Sequence, residues 1–181
     1  MRAWAVAAVA AGVWLVGREL GIGAVPLAQG ALVGGVLHLT CLTFLAVYGA
    51  HASGAHRRQM GFLASFQHAV KPGLVYAVLG TAASAVWTFG VRSELHTRMQ
   101  AERAAAVAAP FATDATYAEW KAATGAPDGV AREQARDQQL EAVKALDHPG
   151  VFIGMNLLGL AWGAALLSGV MTVVWRFVLG G

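Results

Sequence analysis

The stretch Ala55-His-Arg-Arg-Gln-Met-Gly-Phe-Leu-Ala-Ser-Phe-Gln-His-Ala-Val-Lys-Pro72 holds three basic side chains, Arg57, Arg58 and Lys71, and no acid, between two long apolar runs. Lys and Arg resist translocation across a bilayer while acids contribute little, so the stretch reads as the cytoplasmic turn of a membrane protein. The rest of the chain takes its orientation from this turn.

Of the 181 residues, 57% are apolar and only 13% charged, against about 25% charged in an ordinary soluble domain. The apolar residues gather into runs near the roughly 20 residues needed for one helical crossing. Four crossings from a cytoplasmic start leave Arg2, Arg57, Arg58, Lys71 and Arg176 on that side with no acid, and all ten acids with the other eight basic residues opposite. Orientation thus accounts for the net charge of +3, and nucleic acid is not an expected partner. The single cysteine, Cys41, cannot form an intramolecular disulfide and reads as a small residue at a helix interface.

The expected architecture is all-α: a polytopic membrane protein with four transmembrane helices, about 3–20, 30–50, 72–91 and 150–178, and an extramembrane helical insert over 92–149, expected in the periplasm. The first run has the layout of a signal peptide, but Arg2 and Arg18 can snorkel and lengthen it, so it is read as a retained span. Trp4 and Trp14 near its ends suit interfacial anchors, and Tyr76 and Trp87 stand near the start and the end of the third span. Residues 61–70 alternate apolar and polar side chains at helical spacing, which predicts an amphipathic turn or two on the membrane surface. Pro72 then suits the first position of helix three. In the insert, Ser93 to Ala109 predicts an extension of helix three. Thr113 or Asp114 could cap a short helix through Ala123, and Asp128 another through Leu146. The insert has too few large apolar residues for a substantial core and should lean on itself, on the membrane or on a partner.

The Arg-x-x-x-Gly-Phe-x-x-x-Phe segment from Arg57 to Phe66, the Ala69, Lys71 and Gly73 entry to span three, the charged insert and the Pro149-Gly150 start of span four resemble a bacterial family of small four-helix inner-membrane proteins known only as a domain of unknown function. The resemblance implies the layout and no activity. The Ala- and Gly-rich first and fourth helices depart from it.

His38 is the one ionisable residue placed near mid-bilayer, where an ionisable group is a functional hypothesis by default. The plain reading is a neutral imidazole hydrogen-bonded to a neighbouring helix; a proton relay, a ligand role or an intersubunit site are the alternatives. Asn156, near the outer end of helix four, should bond another helix or water. His51, His56 and His68 could meet zinc but read more simply as interface histidines. Gly159-x-x-x-Gly163 with Gly154, and Gly30-x-x-x-Gly34, are small-residue seams for close helix approach, and leucine at Gly159 and Gly163 should disturb assembly. Arg57, Arg58, Lys71 and Arg176 set orientation and meet lipid headgroups. No nucleotide loop, nucleophile–base set or paired intramembrane carboxylate occurs, so no catalytic residue, cofactor or metal is expected. The expected role is non-enzymatic, an accessory or scaffolding subunit whose partners are lipids and other membrane subunits or itself; an oligomeric transporter or channel is the alternative.

Overall fold

The computed structural model describes residues 3–22, 27–54, 61–127 and 129–178. Four apolar helices are long enough to cross a membrane: α1 (Ala3–Ile22), α2 (Leu27–Ala52), α3 (Phe62–Ala85, continued by a π-helical turn Val86–Val91) and α7 (Pro149–Val173, continued by a π-helical turn Val174–Val178). Lipid offers no hydrogen bonds to the backbone, so a spanning segment of this composition satisfies its own amides as helix. No strand occurs among the described residues. The chain forms two compact units, residues 1–87 with 153–181, and residues 88–152.

In the first unit the spans alternate in direction. Cys41 meets Ala10, and Gly17 and Gly21 meet Leu37 and Val33, so α1 and α2 are antiparallel. Gly49 lies on Ala69 while His38 reaches Tyr76 and Ser84, and Gly73 and Gly80 lie on Ala164 and Leu160, which sets α3 antiparallel to both α2 and α7. Several of these crossings require glycine. A Cβ on Gly49 would run into the Ala69 carbonyl, and one on Gly73 would lie 2.7 Å from the Ala164 Cβ. Small residues let helix backbones approach where the apolar solvent itself offers little drive for association. The core is shared by Val6, Ala7, Trp14, Leu42, Leu45, Tyr76 and Ala77, with Leu160 and Ala164 supplied by α7.

Span three differs from the sequence reading. Residues 62–70 do not form a separate surface turn; they are the first turns of α3, and Pro72 is a buried residue inside that helix. Ser65 and Ala69 are buried, and Ser168 Oγ of α7 donates to the Ala69 carbonyl at 3.4 Å. A proline within a spanning helix is tolerated where neighbouring helices surround the interrupted ladder.

α7 is attached along one stripe. Leu160, Ala164, Ser168 and Thr172 recur every four residues and are buried, while Met155, Leu158, Trp162, Leu166 and Val170 are exposed. Gly163 is close to Leu42 Cδ1, at 3.0 Å for an added Cβ, whereas Gly154 and Gly159 have nothing within 4 Å. The Gly159–Gly163 pair is therefore not one seam.

The second unit contains α4 (Ser93–Ala108), a 3-10 turn (Ala109–Phe111), α5 (Asp114–Thr124) and α6 (Arg132–Leu146). α4 does not simply extend span three, because Arg92 leaves helical geometry at φ −125°, ψ 38°. Thr113 caps α5 through a reciprocal pair with Thr116, and Gly125 at φ 66° ends it in the left-handed conformation that glycine adopts freely. Asp128 lies outside the described residues, and Ala131 stands at the start of α6 without a side-chain cap. α4 packs on α6 as a hairpin, so the insert does lean on itself. Its core is thin, with Phe111 and Ala135 buried. Phe111 packs on Trp120 with ring centroids 4.9 Å apart, and Arg103 donates to the buried Asp147 carboxylate at 2.8 Å.

Gly49→Leu should lower the stability of the purified monomer by at least about 2 kcal/mol, since it overpacks a backbone contact. Gly159→Leu should leave monomer stability within about 0.5 kcal/mol. Thermal unfolding followed by near-ultraviolet circular dichroism in detergent checks both.

Candidate functional site

A buried polar cluster lies where α1, α2 and α3 meet. Each helix contributes one face: Trp14 and Arg18 four apart on α1, Gly34, His38 and Cys41 on α2, and Tyr76, Gly80, Ser84 and Trp87 on α3. These intervals of three and four residues align side chains along a helix.

His38 is the hub. Its Nδ1 is 2.8 Å from Tyr76 Oη and its Nε2 is 3.1 Å from Ser84 Oγ. Ser84 Oγ donates its own proton to the Gly80 carbonyl at 2.8 Å. A hydroxyl that donates elsewhere accepts at its oxygen, so Nε2 of His38 carries the hydrogen and Nδ1 accepts from Tyr76. The result is a run of bonds in one sense, from Tyr76 through the imidazole and Ser84 to the backbone of α3. The Trp14 ring stacks on the imidazole with centroids 4.6 Å apart and planes 19° from parallel. Trp14 Nε1 donates to the Gly34 carbonyl at 3.2 Å, and Cys41 Sγ donates weakly to the Ala10 carbonyl at 3.5 Å.

Toward the C-terminal end of α1 the cluster becomes charged. Trp87, in the π-helical turn, donates from Nε1 to Glu19 Oε2 at 3.1 Å, and Arg18 Cζ lies 4.6 Å from the centre of a Trp87 ring. Arg18 is 8% exposed. A Cβ on Gly34 would lie 3.3 Å from the guanidinium carbon, so glycine leaves the guanidinium room that a larger residue would narrow.

These contacts decide several expectations. His38 does bond a neighbouring helix. Both ring nitrogens are engaged in those bonds. Cys41 is a buried interface residue as expected. Two others are not where the sequence puts them. Trp14, read as an interfacial anchor, is 3% exposed, and Arg18, read as a snorkelling end group, is inside the bundle; Trp87 is buried as well. Tyr76 and Ser84 join the site without any motif in the sequence to mark them beyond the four-residue steps 76, 80 and 84 on α3.

The remaining candidates are dispersed. Lys71 is exposed on α3, and Arg176 lies against Phe177 in the turn after α7. Arg57, Arg58 and His56 lie outside the described residues. Gly30 falls within α2, and Asn156 is half-buried on α7. His51 packs 5.3 Å from Trp175, and His68 bonds the Ala64 carbonyl of its own helix, so neither is directed at a shared site. Searches against family models, curated proteins and solved structures found no match to this chain.

His38→Ala should destabilise the bundle by about 1–3 kcal/mol, because it leaves the buried Tyr76 hydroxyl unpartnered and the Trp14 face open. Tyr76→Phe should cost less, about 0.6 kcal/mol, the mean for an interhelical hydrogen bond in lipid. Equilibrium unfolding in mixed micelles measures the difference.

Proposed function

We propose that this is a non-enzymatic, multi-pass protein of the bacterial inner membrane, an accessory or scaffolding subunit that docks on a larger membrane assembly. The observation that carries this reading is the outer arc of α7. Met155, Leu158, Trp162 and Leu166 are exposed there, and Gly154 and Gly159 have open space above them. Lipid chains conform to any apolar surface, whereas glycines set into such a surface admit a second helix at short range. The proposed occupant is a transmembrane helix of another subunit.

Both termini are proposed to be cytoplasmic. Lys71 lies in the first half of α3 and Arg176 follows the end of α7, and because these helices are antiparallel the two cations share one end of the bundle. That agrees with retention of Arg2, Arg57, Arg58, Lys71 and Arg176 on the side from which the chain inserts. The insert then faces the periplasm.

A second reading, a transporter or channel acting as an oligomer, draws on the polar cluster around His38, because polar groups inside a bundle can line a path. Flux in reconstituted vesicles that is abolished by His38→Ala would favour it.

Two measurements test the main reading. A photo-crosslinker at Leu158 or Trp162 in native membranes should give a discrete protein adduct that Gly154→Leu with Gly159→Leu removes. Adducts with lipid alone would end the docking role, and a band at twice the monomer mass would identify a second copy as the occupant. Cysteine at residue 57 should react with an impermeant thiol reagent only after the cytoplasmic side is opened, and cysteine at residue 119 should react in intact spheroplasts. The reverse pattern would invert the topology.

A further inference from the structure

Around His38 the polar groups are matched: both imidazole nitrogens, the Trp14 and Trp87 indole N–H groups and the Cys41 thiol all have partners. Three buried side-chain atoms have no partner among the described residues, Ser65 Oγ, Thr81 Oγ1 and Arg18 Nη1, and of these only Arg18 carries a charge. Its guanidinium is buried within a spanning helix, it forms no ion pair among the described residues, and its Nη1 has no hydrogen-bond partner. The neighbouring Glu19 accepts the Trp87 indole N–H at Oε2.

The guanidinium is nevertheless held in place. One side lies over Trp87, and Gly34 makes room on the other, where an added Cβ would be 3.3–3.4 Å from Cζ, Nε and Nη1. A cation over a tryptophan face gains electrostatic attraction from the ring, but the ring accepts no strong hydrogen bond from an in-plane N–H. A charge withdrawn from water is costly until an opposite charge and matched hydrogen bonds offset the loss. A planar, fixed fork of N–H donors with a vacant edge is the chemistry that proteins use for oxyanions. Arg18 lies four residues from the end of α1 at Ile22, about 6 Å along the axis, which is the depth of a headgroup rather than of acyl chains.

We propose that Arg18, backed by Trp87 and Gly34, binds a phosphoryl oxyanion that enters at the C-terminal end of α1, carried either on a lipid headgroup or as free phosphate. The site is independent of the α7 docking arc, so either can fail without the other.

The test uses the full-length protein, delipidated in an uncharged detergent at low ionic strength. Thermal unfolding is followed on titration with sodium phosphate in one arm and with a short-chain phosphatidylglycerol in the other. The wild type should gain about 5–10 °C at saturation, as a ligand at about 100 times its Kd gives a chain of this size. A gain in both arms, or in phosphate alone, supports a site open to free phosphate; a gain with the lipid alone supports a headgroup site. Arg18→Met removes the charge and keeps the apolar volume, a change that buried ion sites often accept without loss of stability. It should fold and show no gain in either arm. Gly34→Ala keeps the charge while crowding the guanidinium, and should raise the half-saturating concentration at least tenfold. It serves as the decisive variant if Arg18→Met does not fold. No gain in the wild type in either arm, or equal gains in the wild type and the variants, would overturn the proposal.

Discussion

The polar interior of the three-helix core depends on one constraint: where water is excluded, a polar group that no other part of the chain satisfies is costly. His38 meets it by reaching across to α3 with both ring nitrogens, and Trp14 meets it by bonding the α2 carbonyl at Gly34 while covering the imidazole face. Each of these bonds joins two different helices. Together they fix the rotation of α1, α2 and α3 about their axes, which apolar contacts alone specify weakly when every face of a helix is apolar. The glycines then set the distances, Gly49 between α2 and α3 and Gly73 between α3 and α7.

α7 illustrates the opposite case. Its contacts run along a stripe of small and medium residues, and its hydroxyls bond backbone carbonyls rather than other side chains, Thr172 to Ser168 of its own helix and Ser168 to Ala69 of α3. Nothing on α7 enters the His38 cluster through a hydrogen bond among those described. It is held by shape against α3 and α2, and most of its surface is left to whatever surrounds the protein. The proposed docking role and the polar cluster therefore occupy different parts of the same unit.

The second unit follows different rules, since water can satisfy what the chain leaves open. Its helices are set by local signals: the Thr113–Thr116 box, the left-handed Gly125 and the departure of Arg92 from helical angles. Its few large apolar residues are concentrated at one point, where Phe111, Tyr117 and Trp120 pack and the Tyr117 hydroxyl ties α5 to the Val130 carbonyl. A thin core of this kind holds a hairpin together without needing the long apolar stripes that the sequence lacks.

The residues by themselves determined the class and count of the spans, because length and apolarity are sums along the chain and lipid permits few alternatives to helix. They also narrowed the capping of α5 to Thr113 or Asp114, of which the structure uses Thr113, and offered the hydrogen-bonded state of His38 as the plain reading, since each follows from local chemistry. Tertiary structure alone decided which way each side chain faces. Trp14, Arg18 and Trp87 stand near the ends of apolar runs, where an anchor and a buried residue look the same, and only the rotation of α1 against α2 and α3 turns them inward. The same holds for Gly159 and Gly163, four apart in sequence and alike in type, of which one meets Leu42 and the other meets nothing. Hydropathy is a property of a segment, but burial belongs to a face, and a face acquires its meaning only when a neighbouring helix is set against it.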